Sequence, residues 1–283
     1  MTVCVAVAVN DCLVFAADSA ASIVTVDPQT GEDRILSVYQ NGDKVYNLHK
    51  ALPICAMTCG MGNIGRESIA TIAKRLRKLI TEQGDFHVDP SNYSIEEIAE
   101  KARRFIFEDR FGSLPNPPLG SSMEFWIGGY SSDLDMGHEV WKVAIINGEC
   151  PPPERIVSDG ETKLVWGGQP APINRLILGF DPAIEDCLRA GGLGDDDVLT
   201  AMQSFKDHLA RPLVLTNMPV RDAIDLADFL VDTTKRFFRF LPGADIVGGD
   251  TDIAVVTRYE GFKWIARKHF YATHLNPLET GHV

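Results

Sequence analysis

The chain has 283 residues, of which 45% are hydrophobic and 23% are charged, so it can bury a large core. Its net charge of -12 argues against a general nucleic-acid binder or a binder of anionic membranes, because contacts with phosphate need a basic surface. The N-terminal sequence lacks a signal-peptide pattern and no segment approaches 18 apolar residues, so we predict a soluble, cytoplasmic protein.

The first quarter of the chain predicts hairpins. Two apolar, β-branched segments, 2–9 and 12–17, flank the turn pair Asn10-Asp11. Because both segments are apolar at nearly every position, we expect strands that are covered on both faces. Residues 27–43 combine turn formers with charge and are predicted to form a loop. Strands are predicted to resume at 44–48 and 53–58.

Two amphipathic helices are predicted next. A glycine-rich turn at 59–63 leads into residues 64–80, where apolar residues recur at three- and four-residue steps. A second helix is predicted for residues 94–111, with Ser94 as N-cap and Glu97 completing a capping box. A proline-rich loop at 113–120 ends this helical pair.

Strands and helices also alternate in the second half of the chain. Strands are predicted at 123–130, 139–146 and 163–166, helical segments at 173–179, 195–210 and 218–240, and closing strands at 252–259 and 262–267. We find no fixed-period repeat and no linker that separates two folding units.

Several fragments, taken in their order along the chain, resemble the proteasome β-subunits and their bacterial relatives HslV and Anbu. They are the Met-Thr start, the hairpin ending in FAADSAAS, the Lys44-Val45 step, the CGMGN turn, and the terminal MPVRDAIDLADF and GGDTDIAVVTRYEGFKWI. The resemblance implies an α+β fold, the four-layer αββα sandwich of N-terminal nucleophile hydrolases. It also implies a single domain over 1–283 with insertions around 27–43, 85–120 and 185–215.

The same resemblance implies a catalytic site. Thr2, exposed once Met1 is removed, is the expected nucleophile of an amide hydrolase. A threonine hydroxyl needs a base within hydrogen-bond reach, and its own α-amine, with an ordinary pKa of about 7.7–8.0, can serve. Lys44 is the expected cation that raises the neutral fraction of that amine, and Asp18 is expected to hold Lys44 in place. Gly60 is expected to donate its backbone N–H to the oxyanion.

Two segments depart from the family pattern. Gly167-Gly168-Gln169 replaces the Gly-Ser-Gly turn whose serine supports the threonine amine, so no hydroxyl is available at Gly168. Before Gly248-Gly249 the family has an aspartate and a serine, and a gapless match puts Ala244 and Val247 there. These changes predict a looser arrangement around the amine, with a rate that is either lowered or abolished.

The resemblance also implies partners: a peptide or unfolded-protein substrate, further copies of the chain in a ring or helical stack, and an ATP-dependent unfoldase. No cofactor is expected. The histidines and six cysteines show no ligand spacing, so no metal is predicted and the cysteines are expected to be buried free thiols. Two other functions remain open, a catalytically degenerate scaffold subunit and an amidase of the same class that cleaves small molecules.

Overall fold

The computed structural model describes residues 2–26, 33–118, 120, 122–243 and 245–268. Met1, Ala244, and residues 27–32 of the predicted loop therefore lie outside the described residues. The fold is mixed α/β with antiparallel sheets. The strands are β1 (Val3–Val9), β2 (Cys12–Ala17), β3 (Ala21–Val26), β4 (Asp33–Tyr39), β5 (Val45–Asn47), β6 (Ile54–Gly60), β7 (Asn63–Ile64), β8 (Glu67–Ser68), β9 (Ser122–Tyr130), β10 (His138–Ile146), β11 (Glu154–Val157), β12 (Lys163–Gly168), β13 (Asp252–Thr257) and β14 (Gly261–Ala266). The α-helices are α1 (Ile69–Thr81), α2 (Ile95–Arg103), α3 (Ala171–Ile177), α4 (Ile184–Ala190), α5 (Asp195–Leu209) and α6 (Val220–Phe240).

Two five-stranded sheets form the centre of the molecule. The first has the order β12-β1-β2-β13-β14 and the second the order β11-β10-β9-β6-β5. Neighbouring strands in both sheets are antiparallel. The predicted hairpin of β1 and β2 is confirmed, with Val9 paired to Cys12 across the Asn10-Asp11 turn.

Three clusters of buried side chains show why β1 and β2 are apolar at every position. One cluster contains residues of both sheets, among them Cys4, Phe15, Met57 and Trp126. The second joins the first sheet to α3 and α6, and the third joins the second sheet to α1 and α2. Because successive side chains of a strand point to opposite faces, β1 contributes alternately to the first two clusters.

The first helix begins later than predicted. Residues 64–68 carry the apolar spacing of a helix, but the structure places Asn63–Ile64 and Glu67–Ser68 in a short hairpin. Helix α1 starts at Ile69, where the Ser68 hydroxyl accepts a hydrogen bond from the Thr71 N–H. Serine at the N-cap satisfies one of the free amide groups of the first turn. The helix therefore begins after Ser68, although the apolar spacing extends further towards the N-terminus.

The second helix starts where predicted but changes its winding. Ser94 caps α2 by accepting from the Glu97 N–H, whereas the Glu97 carboxylate pairs with Lys101 at 2.7 Å instead of completing the capping box. Beyond Arg103 the predicted helix continues as a π-helix over Arg104–Phe111. Apolar periodicity does not distinguish these two windings over a single turn or two.

Four further elements differ from the sequence-based expectations. Strand β3 was not predicted, and it pairs with β4, which is formed by part of the predicted loop, Asp33–Tyr39. Strand β11 and helix α4 were not predicted, because both are short and α4 has no buried residue. Strand β11 pairs with β10 and α4 packs against α5, so both depend on contacts that a local pattern does not show.

The prediction of buried cysteines holds for four of the six thiols. Cys4, Cys12, Cys55 and Cys59 are buried and free, but Cys150 is half-buried and Cys187 is exposed on α4. None of the helices among the described residues is long and apolar enough to cross a membrane.

We expect Gly128→Ala to destabilise the protein by about 1–3 kcal/mol through overpacking. A Cβ atom at Gly128 would lie 2.6 Å from the Phe15 ring and 2.9 Å from Val140, between the two sheets. Denaturant unfolding measures the cost. Gly62→Ala is the control, because a Cβ there meets nothing within 4 Å, and we expect a change within about 0.5 kcal/mol. Equal stability of the two variants would contradict the packing of Phe15.

Candidate active site

A buried ion pair joins two of the predicted site residues. Asp18 follows β2 and Lys44 precedes β5, and the Lys44 Nζ lies 2.6 Å from the Asp18 Oδ1. The side chains are 0% exposed for Asp18 and 7% for Lys44. The ion pair therefore joins the end of β2 in the first sheet to the start of β5 in the second sheet.

Three backbone groups complete the surroundings of the Asp18 carboxylate. The Val3 N–H donates to Oδ1 at 3.0 Å, and the N–H groups of Ala20 and Gly248 donate to Oδ2 at 3.1 and 3.0 Å. A buried carboxylate is tolerated when a cation and hydrogen bonds compensate its lost hydration. Oδ1 therefore holds both the Lys44 ammonium and the residue next to Thr2.

Thr2 lies at the start of β1 and is 4% exposed. Its carbonyl oxygen accepts a hydrogen bond from the Gln169 N–H at 2.7 Å. On its other side, the Val3 N–H is held by Asp18. The Thr2 backbone is thus fixed from β12 and from Asp18, and the Lys44 ammonium lies within two hydrogen-bond lengths of the Val3 amide.

The glycine at position 168 is required by the backbone. Gly168 has φ +83°, and a Cβ atom there would lie 1.9 Å from the Thr2 carbonyl oxygen. A serine cannot stand here without moving Thr2, so the lack of a hydroxyl at Gly168 has a steric reason. The first position after it that carries a side chain is Gln169, which is half-buried.

The other departure from the family pattern concerns the loop before Gly248. Val247 is fully buried, and its side chain belongs to the cluster between the first sheet and α6. Ala244 lies outside the described residues. The group of this loop that reaches Asp18 is the backbone N–H of Gly248, which the sequence comparison did not single out.

Gly60 ends β6 and is exposed, with φ +95°. The lack of a side chain has a steric reason, because a Cβ atom would lie 2.2 Å from the Ser122 carbonyl oxygen of β9. Gly60 is linked to the ion pair through β6, where the Thr58 N–H donates to the Lys44 carbonyl oxygen at 2.9 Å.

Two cysteines adjoin the site. Cys4 follows Thr2 by two residues in β1, and its thiol donates to the Thr58 carbonyl oxygen at 3.2 Å. Burial raises the pKa of Cys4 well above its ordinary value, and neighbouring Cys59 raises it further. Since the thiolate is the reactive form of cysteine, Cys4 is a poor nucleophile at neutral pH.

The structure therefore brings Asp18 and Lys44 into contact and places Thr2 and Gly60 on strands adjoining that pair. Sequence reasoning missed the donors Gln169 and Gly248, since a backbone N–H has no side-chain signature. Among the described residues, no three histidine, cysteine or acidic side chains are grouped so that they could hold a metal ion.

No family model matches the chain, and no curated protein matches it either. Solved structures do match in fold. The helical assembly of the Anbu complex from Pseudomonas aeruginosa is 16% identical over 95% of this chain and 88% of that chain, with a TM-score of 0.55. A Gly-1 mutant of Anbu from Hyphomicrobium sp. strain MC1 is 16% identical over 96% and 88%, with a TM-score of 0.53. Anbu from Yersinia bercovieri is 15% identical over 94% and 88%, with a TM-score of 0.50. This chain has the fold of the Anbu-type relatives of the proteasome.

We expect Gly168→Ala to destabilise the protein more than Gly192→Ala. Both glycines have positive φ, +83° and +92°, so each alanine pays a backbone strain of about 1–2 kcal/mol. Only the Cβ at 168 meets the Thr2 carbonyl, whereas a Cβ at 192 meets nothing within 4 Å. Denaturant unfolding gives the free energy of unfolding of both variants, and the difference between them measures the effect of the Thr2 contact. An equal loss of stability in the two variants would contradict that contact.

We expect Lys44→Met to lower the free energy of unfolding by about 3–5 kcal/mol, because it leaves the buried Asp18 charge without its cation. Lys78→Met is the matched control. Lys78 pairs with Glu82 at 3.8 Å on the surface, where an ion pair contributes about 1 kcal/mol or less. Thermal and denaturant unfolding measure both changes. A loss at Lys44 no larger than that at Lys78 would show that the pair is not buried in solution.

Proposed function

We propose that this chain is an N-terminal-threonine amide hydrolase, a self-assembling peptidase with Thr2 as nucleophile after removal of Met1. The observation that carries this proposal is the shared Asp18 Oδ1 atom, which holds the Lys44 ammonium and the amide directly after Thr2. The fold similarity to Anbu supports it. A buried cation beside the N-terminal residue is the arrangement that the chemistry needs.

The proposed reaction has two stages. The Thr2 Oγ attacks the amide carbonyl while the α-amine accepts the hydroxyl proton. The tetrahedral intermediate collapses to an ester as the amine returns this proton to the leaving nitrogen. A water molecule then gives a proton to the amine and attacks the ester, which releases the acid and restores the threonine hydroxyl.

Each surrounding residue has a proposed part. The Lys44 ammonium favours the neutral amine and the developing alkoxide through its positive charge. Asp18 is a positioning residue, because its carboxylate accepts four hydrogen bonds and thereby fixes Lys44 and Val3 relative to each other. The backbone N–H of Gly60 is the proposed donor to the oxyanion.

We also infer that the two sheets and their helices stack as a four-layer αββα sandwich. The three buried clusters support this, because one contains side chains of both sheets and each of the others joins a sheet to helices. The single domain with insertions around 27–43, 85–120 and 185–215 stays a prediction, as do the cytoplasmic location and an ATP-dependent unfoldase.

Assembly with further copies of the chain is part of the proposal. The Pseudomonas Anbu complex is a helical assembly. In this chain, α6 buries one face against the first sheet and leaves Phe229 and Phe240 exposed at 50% and 82%. Exposed aromatic side chains of this size are typical of contact surfaces.

A catalytically degenerate scaffold subunit is the second candidate function. The observation in its favour is that Gly60 and Gly168 each have a steric reason to lack a side chain, which holds whether or not Thr2 reacts. An amidase for small molecules shares the proposed site, so a comparison of peptide and small-amide substrates separates it from a peptidase.

We expect the purified chain to begin at Thr2 and to react covalently with a peptide epoxyketone, which needs both the hydroxyl and the free amine. Intact mass measures both events. Thr2→Ala should abolish labelling, Thr2→Ser should retain it, and Thr200→Ala, which removes a surface hydroxyl on α5, should leave it unchanged. A retained Met1 together with absent labelling would favour the scaffold.

We expect an oligomer at micromolar concentration, measured by light scattering. Phe229→Ser together with Phe240→Ser should shift the mass towards the monomer, because polar side chains replace the exposed aromatic surface. Tyr259→Ser is the control, as Tyr259 is 92% exposed on the turn between β13 and β14. A wild-type monomer would contradict the proposed assembly.

A further inference from the structure

A second buried lysine–carboxylate pair lies beside the first. Lys268, which follows β14, forms an ion pair with Asp252 at the start of β13, and their side chains are 4% and 3% exposed. The Lys268 N–H also donates to the Asp252 Oδ1 at 3.1 Å. The Lys268 ammonium makes a further hydrogen bond of 2.8 Å to the Ser19 hydroxyl. Ser19 is the neighbour of Asp18 in the chain.

Ser19 is held by four hydrogen bonds through its three polar groups. Its N–H donates to the Gly248 carbonyl oxygen at 2.9 Å, and its own carbonyl oxygen accepts from the Gly42 N–H at 2.8 Å. Its hydroxyl donates to the Asp250 carbonyl oxygen at 2.6 Å and accepts from Lys268. Ser19 is 0% exposed, so these bonds form without competition from water.

The Lys268 ammonium thereby meets three of the four segments that build the Asp18 site. It contacts Ser19 beside Asp18, and it contacts Asp252, which follows the loop whose Gly248 N–H donates to Asp18. It also lies 3.9 Å from the carboxylate of Asp43, the residue before Lys44.

We propose that Lys268 is a positioning residue that holds the Asp18–Lys44 pair in register with Thr2. The catalytic part of this inference rests on the proposed function of that pair. The structural part does not, because it concerns only the contacts around Ser19 and Asp252. Lys268 touches none of the proposed reacting atoms, and it acts through the backbone on either side of Asp18 and Lys44.

The chemistry of the site favours a lysine. A lysine ammonium has three donors that point in different directions, which suits one hydroxyl and two carboxylates from separate segments. Methionine has a similar length and no charge, so Lys268→Met removes the links and leaves Asp252 uncompensated. Lys268→Met combined with Asp252→Asn removes the links without an unpaired buried charge.

The test measures amide hydrogen exchange, resolved by mass spectrometry, in the wild type and these two variants. We expect exchange in segments 18–20, 42–44 and 248–250 to rise by about three- to tenfold, the effect of losing one hydrogen bond. Segments of β9 and β10 should keep their wild-type rates. Lys235→Met is the matched control, because the Lys235 ammonium bonds Thr251 at 3.2 Å in the same loop region. Unchanged exchange near Asp18 in both Lys268 variants would overturn the proposal.

A second measurement addresses catalysis. With a peptide epoxyketone, Lys268→Met should lower the maximal inactivation rate about tenfold and leave the half-saturating concentration unchanged, since positioning affects the reaction more than binding. Lys268→Arg should restore part of the rate. An unchanged maximal rate would overturn the catalytic part. If the wild type is not labelled at all, the proposed function fails, and hydrogen exchange still decides whether Lys268 holds the Asp18 segment.

Where Lys268→Met does not fold, Ser19→Ala provides the milder change. It removes the hydroxyl between Lys268 and Asp250 and keeps the Lys268–Asp252 ion pair. We expect the same three segments to exchange faster, and unchanged exchange in this variant and in the double variant would overturn the proposal.

Discussion

The carboxylate of Asp18 is the constraint on which the candidate site depends. A buried charge is costly unless other groups compensate it, and here a cation and three backbone N–H groups do so. These groups come from the start of β1, the turn after β2, the residue before β5 and the loop before β13. Because a carboxylate accepts hydrogen bonds only within a narrow range of distance, burying this one side chain brings four distant segments to fixed positions.

Two glycines set the shape of the same region for a steric reason. At Gly168 and Gly60 the backbone has positive φ, and a side chain would enter a carbonyl group of the neighbouring strand. Glycine at these positions is required for the close approach of the strands, whether or not a reaction takes place there. A glycine shared with an enzyme family is therefore compatible with both an active hydrolase and a scaffold subunit of this fold.

Fold and chemistry are separate questions in this protein. A similarity at 16% identity extends over nearly the whole chain, which shows that the two-sheet architecture tolerates extensive change in sequence. One architecture can host unrelated activities, so function must be argued from the site. The described residues contain a buried Asp18–Lys44 pair beside Thr2, and the access of a substrate to that threonine decides between hydrolysis and assembly alone.

The sequence by itself determined the elements whose signal is local, which are the hairpin of β1 and β2 and most of the helices. It also singled out Thr2, Asp18, Lys44 and Gly60 as candidate site residues. It did not determine strand β4, the hairpin before α1 or the π-helix, because apolar periodicity shows neither which strands pair nor how a helix is wound. Only the tertiary structure decided the partners of Asp18. Gly248 lies 230 residues from it, and Lys268 lies 249 residues from Ser19. Backbone N–H groups and lysine ammonium groups recur throughout the chain. Which of them bonds to Asp18 or Ser19 therefore depends on three-dimensional proximity, which no local pattern encodes.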